Sequence, residues 1–245
     1  MKLLKSKKTK IWLVAISSAL ILLLSASFIY FGNYYHADEE LVSEYKVRVE
    51  ESEINGNLVF KPENVNYGLI FYPGGKVDER AYIPLMREIS SHGVLCVLVK
   101  MPLRLAVFDI NAARGIPEDF PEISEWYIGG HSLGGSMAAA YLKKNSDSFK
   151  GLLLLGSYST ADLSKTSLRA LSVYGSLDGV MNREKYEENL SNMPKDFTEI
   201  IIEGGHHAYF GAYGEQKGDG VTDLPRKEQI KGCAEAFIDF LKSSR

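Results

Sequence analysis

Residues 126–141 read WYIGGHSLGGSMAAAY, and the fold turns on this stretch. Gly130-His131-Ser132-Leu133-Gly134 is a G-x-S-x-G pentapeptide, with the apolar Trp126, Tyr127 and Ile128 before it and an alanine-rich run after it. This context predicts a strand, a sharp turn and a helix. A serine in such an elbow sits on strained backbone, and small neighbours let strand and helix approach without clashing. Its hydroxyl projects from the carboxyl end of the strand, where the following helix also aims its N-terminus.

Working outward, residues 67–72 (YGLIFY) and 94–99 (VLCVLV) are continuous apolar runs, as strands buried on both faces require. Between them, residues 78–91 show helical spacing through Ala81, Ile83, Leu85, Met86 and Ile89, and His92-Gly93 ends the helix. Upstream, residues 44–50 (EYKVRVE) alternate like a half-buried strand, and Asn55-Gly56-Asn57 turns the chain into a second strand over 58–61. A short helix is expected around 105–113. After the elbow, strands are expected at 151–155, 170–174 and 197–202, and helices at 183–192 and 229–242. This alternation predicts an α/β fold with a mainly parallel sheet, helices on both faces and an antiparallel N-terminal hairpin at one edge.

A serine hydroxyl is a weak nucleophile that needs a positioned base, and the base needs an orienting acid. Asp178 follows the strand at 170–174, and His206-His207 follow the strand at 197–202. Serine, acid and histidine thus occur in chain order, each at a strand's carboxyl end. Asp178 has a competing reading as a helix N-cap. The Leu133 N–H, next after the nucleophile, is one expected oxyanion donor, and the turn after the 67–72 strand supplies the second, with Gly75 favoured.

Over residues 44–243 the sequence resembles the α/β-hydrolase fold, in particular its small, lidless bacterial members that are esterase-like or dienelactone-hydrolase-like. The resemblance rests on Tyr72-Pro73-Gly74-Gly75, Gly130–Gly135, Asp178 and Gly204–Ala208. It implies a Ser132–His207–Asp178 hydrolase of an ester, thioester or amide, working through an acyl-enzyme. His207 is the base because it precedes the alanine of a Gly-Gly-x-His-Ala loop, and His206 becomes a rim residue. The oxyanion turn here is Pro-Gly-Gly rather than His-Gly-Gly. A serine stands where dienelactone hydrolases have cysteine, which counts against their substrate. Acyl transfer through the same triad, and a non-catalytic binding module on this fold, are the alternatives.

Only 13 residues, 157–169, separate the strand at 151–155 from the next, too few for a folded lid. An open site is expected, suited to a small or surface-displayed ester. Tyr209, Phe210 and Tyr213, in a long glycine-bearing loop, are expected as one pocket wall. The segment 101–109 is a candidate for another. Lys76 is a candidate contact for a substrate carboxylate or a solvated loop lysine, and His131, also a candidate pocket residue, reads as a packing or hydrogen-bonding residue rather than a base.

Residues 1–10 carry five lysines and no acid, and 11–31 (IWLVAISSALILLLSASFIYF) are 21 residues without a charge. A secretory apolar region is about 7–15 residues and a bilayer span about 20. The expected organisation is a basic cytoplasmic tail (1–10), a transmembrane signal anchor (11–31), a linker (32–43) and a catalytic domain (44–245) outside the cytoplasm. Cleavage and secretion, at the small residues Ser25-Ala26-Ser27, is the alternative. Beyond the tail, 23 basic residues face 31 acidic ones, a net charge of −8 that suits no nucleic-acid partner. Cys96 and Cys233 read as two buried thiols, and neither a metal nor a cofactor is expected.

Overall fold

A computed structural model describes residues 7–243, so positions 1–6 of the basic tail lie outside the described residues. The chain divides into two compact units between Tyr34 and Tyr35. The first holds helix α1 (Lys7–Gly32). Within it, Thr9–Gly32 is long and apolar enough to cross a membrane, about 36 Å at 1.5 Å per residue.

The second unit opens at Tyr35, not at residue 44. The Tyr35 N–H donates to the Lys76 carbonyl (2.8 Å), its carbonyl accepts the Asp78 N–H (2.9 Å), and the Asp38 N–H reaches the Ala212 carbonyl (2.9 Å). Helix α2 (Glu39–Glu44) follows, with Asp38 Oδ1 accepting the N–H groups of Glu40 and Leu41. From Tyr35 on, the expected linker is therefore hydrogen-bonded into the body.

Eight strands form one sheet: β1 (Glu50–Ile54), β2 (Asn57–Lys61), β3 (Tyr67–Tyr72), β4 (Val94–Leu98), β5 (Trp126–His131), β6 (Gly151–Leu155), β7 (Arg169–Gly175) and β8 (Asp196–Ile202). Their order is β1-β2-β4-β3-β5-β6-β7-β8; the β1–β2 and β2–β4 pairings are antiparallel and the remaining pairings are parallel. Helices α3 (Ile83–Ser91) and α6 (Arg226–Lys242) cover one face, and α4 (Leu133–Asn145) with α5 (Arg183–Glu188) the other. Alternate residues of each central strand feed the two cores. Leu69 and Phe71 face α3 and α6, while Ile70 and Tyr72 face α4, which is why β3 reads as an unbroken apolar run. Cys96 and Cys233 are both free and buried on the α3/α6 face, and burial pushes both thiols up.

Two expectations shift. The first strand is Glu50–Ile54, entirely exposed, not residues 44–50. The Asn55-Gly56 turn, with φ of 52° and 82°, pairs Ile54 with Asn57 and thereby fixes the register of β1. The alternation over 44–50 instead reflects a non-strand segment that buries Tyr45 and packs Val49 on the core. The expected helix at 105–113 is absent. Pro102 and the left-handed Leu103 and Arg104 (φ 50° and 58°) break the chain into short 3₁₀ turns at Pro102–Arg104 and Ala106–Phe108.

Gly68 on β3 lies opposite Trp126 on β5, and the indole fills the space a side chain would occupy, with Cδ2 2.6 Å from an added Cβ. Replacing Gly68 by valine should therefore cost about 2–3 kcal/mol through overpacking. Thermal unfolding of Gly68→Val checks this, and an unchanged melting temperature would contradict it.

Candidate active site

Parallel strands deliver their carboxyl ends to one edge of the sheet, and the residues singled out in the sequence follow β3, β5, β7 and β8 there. Ser132 lies between β5 and α4 with φ 52° and ψ −123°, a conformation L-residues rarely hold. Three hydrogen bonds fix it. Its N–H donates to the Leu155 carbonyl (2.9 Å), and its carbonyl accepts the Ser136 N–H (3.2 Å) and Ser157 Oγ (2.6 Å). The pentapeptide's glycines are forced by packing. An added Cβ at Gly130 would stand 2.5 Å from the Tyr72 carbonyl oxygen, and one at Gly134 would overlap the Tyr72 and Pro73 carbonyls. The Ser132 hydroxyl makes no hydrogen bond among the described residues, which leaves it able to rotate toward a base.

Adjacent strands β7 and β8 bring Asp178 and His207 together. His207 Nδ1 is 2.8 Å from Asp178 Oδ2, and both side chains are buried. An ionised carboxylate only accepts, so the ring proton belongs on Nδ1, and Nε2 remains the basic nitrogen. The second carboxylate oxygen, Oδ1, accepts the N–H groups of Val180 (3.0 Å) and Met181 (2.8 Å). One oxygen of Asp178 thus faces the imidazole while the other holds its own turn, and the helix N-cap reading of Asp178 does not hold. Helix α5 itself is capped by Asn182.

Gly156, which the sequence reading passed over, makes this pairing possible. At φ 49°, an added Cβ there would stand 2.9 Å from His207 Nδ1 and 3.0 Å from Asp178 Oδ2. Its signal was available as the glycine that ends the run GLLLLG. Ser132 and Gly156, with Leu133, Tyr158, Val180 and Met181, line an open depression of about 250 Å³ that contains no charged side chain.

The turn after β3 meets the start of α4. An added Cβ at Gly75 would lie 2.9 Å from Leu133 Cδ2 and 3.5 Å from Leu105 Cδ2, so the 101–109 segment does reach this turn. The Lys76 N–H is taken by the Arg104 carbonyl (2.8 Å), and the Gly74 N–H by the Tyr82 hydroxyl (3.1 Å). No hydrogen bond engages the Gly75 N–H among the described residues, and Leu133, first residue of α4, has no intrahelical acceptor for its own. The two residues expected to supply oxyanion donors are therefore in contact, and neither N–H is committed among the described residues.

Other candidates lie elsewhere than expected. Phe210 and Tyr213 are fully buried in the α3/α6 core, not on the depression. Tyr209 stacks under the Arg226 guanidinium (4.2 Å) and bonds Glu215 (3.0 Å). This loop turns inward because it covers the core and pairs through Tyr213 with Ala37. His206 is not a rim residue: it is buried, its ring rests on Tyr209, and Gln229 holds its backbone on both sides. Lys76, at φ 59°, contributes backbone to the turn and does not line the depression. His131 lies beneath the site. Its ring centroid is 4.4 Å from that of His207, and Nδ1 is 2.8 Å from the Tyr82 hydroxyl. Burial pushes the Tyr82 phenol far up, so this hydroxyl stays protonated; it accepts from the Gly74 N–H and shares a hydrogen bond with Nδ1. Tyr82 thus links the turn after β3 to the layer under His207, a long-range contact with no local sequence signal.

A family profile described as alpha/beta hydrolase family matches residues 68–231. No curated protein matches the sequence. Among solved structures, a predicted CIB-like hydrolase from Thermoplasma acidophilum superposes with a TM-score of 0.55 at 17% identity, covering 80% of this chain and 98% of that one. TT1662 from Thermus thermophilus does so with a TM-score of 0.59 at 15% identity, with the same coverages. Likeness at these identities concerns the fold.

Burial, and then the charge of His207, hold the His131 imidazole well below its usual pKa. In the unfolded chain the same group takes up a proton near pH 6.5. The unfolded state therefore binds more protons below that pH, and stability falls as the pH drops, by at most about 1.4 kcal/mol per unit from this group. Unfolding midpoints measured from pH 7.5 to 5 should show this decline, and His131→Gln should flatten it. An equal slope in the variant would exclude His131 as the source.

Proposed function

Because the chain belongs to the alpha/beta hydrolase family, we propose that it is a serine hydrolase of carboxylesterase type, anchored by α1 with its catalytic unit outside the cytoplasm. The observation that carries the catalytic reading is the buried 2.8 Å bond between His207 and Asp178, packed against the glycine that borders the Ser132 depression. Ser132 attacks the carbonyl carbon, and His207 Nε2 takes the hydroxyl proton and then delivers it to the leaving group. Asp178 holds the imidazole tautomer and stabilises the imidazolium. The N–H groups of Leu133 and Gly75 receive the oxyanion, each worth about 3 kcal/mol of transition-state stabilisation. Water then releases the acyl group by the same steps in reverse.

The substrate class follows from the depression. It is small, open and without a charged side chain, which suits a compact, uncharged acyl group on a solvent-displayed ester. The anchor reading is supported by α1, with lysines on its N-terminal side and an apolar length that matches a bilayer.

A fluorophosphonate probe should label the full chain and should not label Ser132→Ala. In a rate screen, short acyl esters should turn over faster than long ones and faster than amides. Undiminished labelling of Ser132→Ala would remove the nucleophile from this account.

A further inference from the structure

After His207 the chain leaves the site, runs into the core through Tyr213, and returns over residues 214–223. On its return Asp219 meets the histidine again. Its Oδ1 accepts the His207 N–H at 2.7 Å, and its Oδ2 accepts the Ala208 N–H at 3.0 Å. Both amides open the 3₁₀ turn Ala208–Phe210, where N–H groups have no acceptor within the turn. The residues flanking Asp219 grip the other triad loop. The Gly220 N–H donates to the Leu177 carbonyl (3.0 Å), and the Gly218 carbonyl lies so close to Gly179 that an added Cβ there would overlap it. Leu177 and Gly179 are the two chain neighbours of Asp178. One short segment therefore holds the base loop and the acid loop at the same time.

We infer that Asp219 is a positioning residue for the triad: it fixes the His207 backbone against the Asp178 turn and so sets the span across which His207 Nδ1 meets Asp178 Oδ2. The inference rests on the serine-hydrolase reading. Two amide donors facing two carboxylate oxygens explain why the residue is an aspartate. Asparagine would turn an NH₂ group toward one of the two N–H donors, and glutamate would carry the oxygens one methylene too far. Misplacement of a catalytic base by about 1 Å costs on the order of 100-fold in rate.

The test uses the full chain in detergent, with p-nitrophenyl acetate as substrate, a fluorophosphonate as label, and thermal unfolding as the control for folding. Asp219→Asn and Asp219→Glu should both fold and lose about 10- to 100-fold in kcat and in labelling rate, with KM within about twofold of wild type. The downfield proton resonance of the His207–Asp178 hydrogen bond should weaken or move in both, which a role confined to stability would not produce in a folded chain. Wild-type labelling rates in either folded variant, or loss of folding in both, overturn the role of Asp219 alone. A wild-type chain that the fluorophosphonate never labels overturns the serine-hydrolase reading, and this inference with it.

Discussion

The site depends on how closely the start of α4 approaches the carboxyl end of β3. At Gly134 the helix backbone rests on the Tyr72 and Pro73 carbonyls, with no room for a side chain. That approach sets the other distances. It holds Ser132 in a left-handed conformation that costs on the order of 1–3 kcal/mol. The cost is offset by the hydrogen bonds Ser132 makes to Leu155, Ser136 and Ser157. It also presses the Leu133 side chain against Gly75, and no hydrogen bond engages the N–H of either residue among the described residues. The apolar faces of the sheet, filled by α3 and α6 on one side and α4 on the other, are what keep the strand and helix from relaxing apart.

Around this contact, charge is rationed. The depression has no charged lining; the buried Asp178 is the carboxylate on the His207 ring, with both its oxygens engaged, and Asp219 holds the His207 backbone. Beneath the base lies His131, kept neutral by burial and oriented by a phenol that burial keeps protonated. A neutral ring next to His207 avoids a second positive charge when the base takes its proton, consistent with the roles proposed for the triad.

Much of this was legible from residues in sequence because the relevant signals are local. Strands β3 and β6 were read to the residue, since runs buried on both faces announce themselves. The elbow was read from its glycines. Signals set by distant partners were not. The position of β1 is fixed by a turn register and not by alternation, and the break at 102–104 answers to the turn it braces through Arg104 and Lys76. Phe210 and Tyr213 looked like pocket walls because aromatic residues near a histidine suit either a pocket or a core, and only the fold of the loop decides between them. Tyr82 and Asp219 act across long stretches of chain, as does the segment from Tyr35 that pairs with the turn after β3.

The central claim is that Ser132 carries the acyl group between two half-reactions. Acid quenching during turnover of p-nitrophenyl acetate, followed by peptide mass mapping, tests it most directly. The account predicts one acetyl group on Ser132 of the wild-type chain, lost with time after the substrate is exhausted. Turnover with no acetyl group on Ser132, or with the group on Lys76 or a histidine instead, would contradict it.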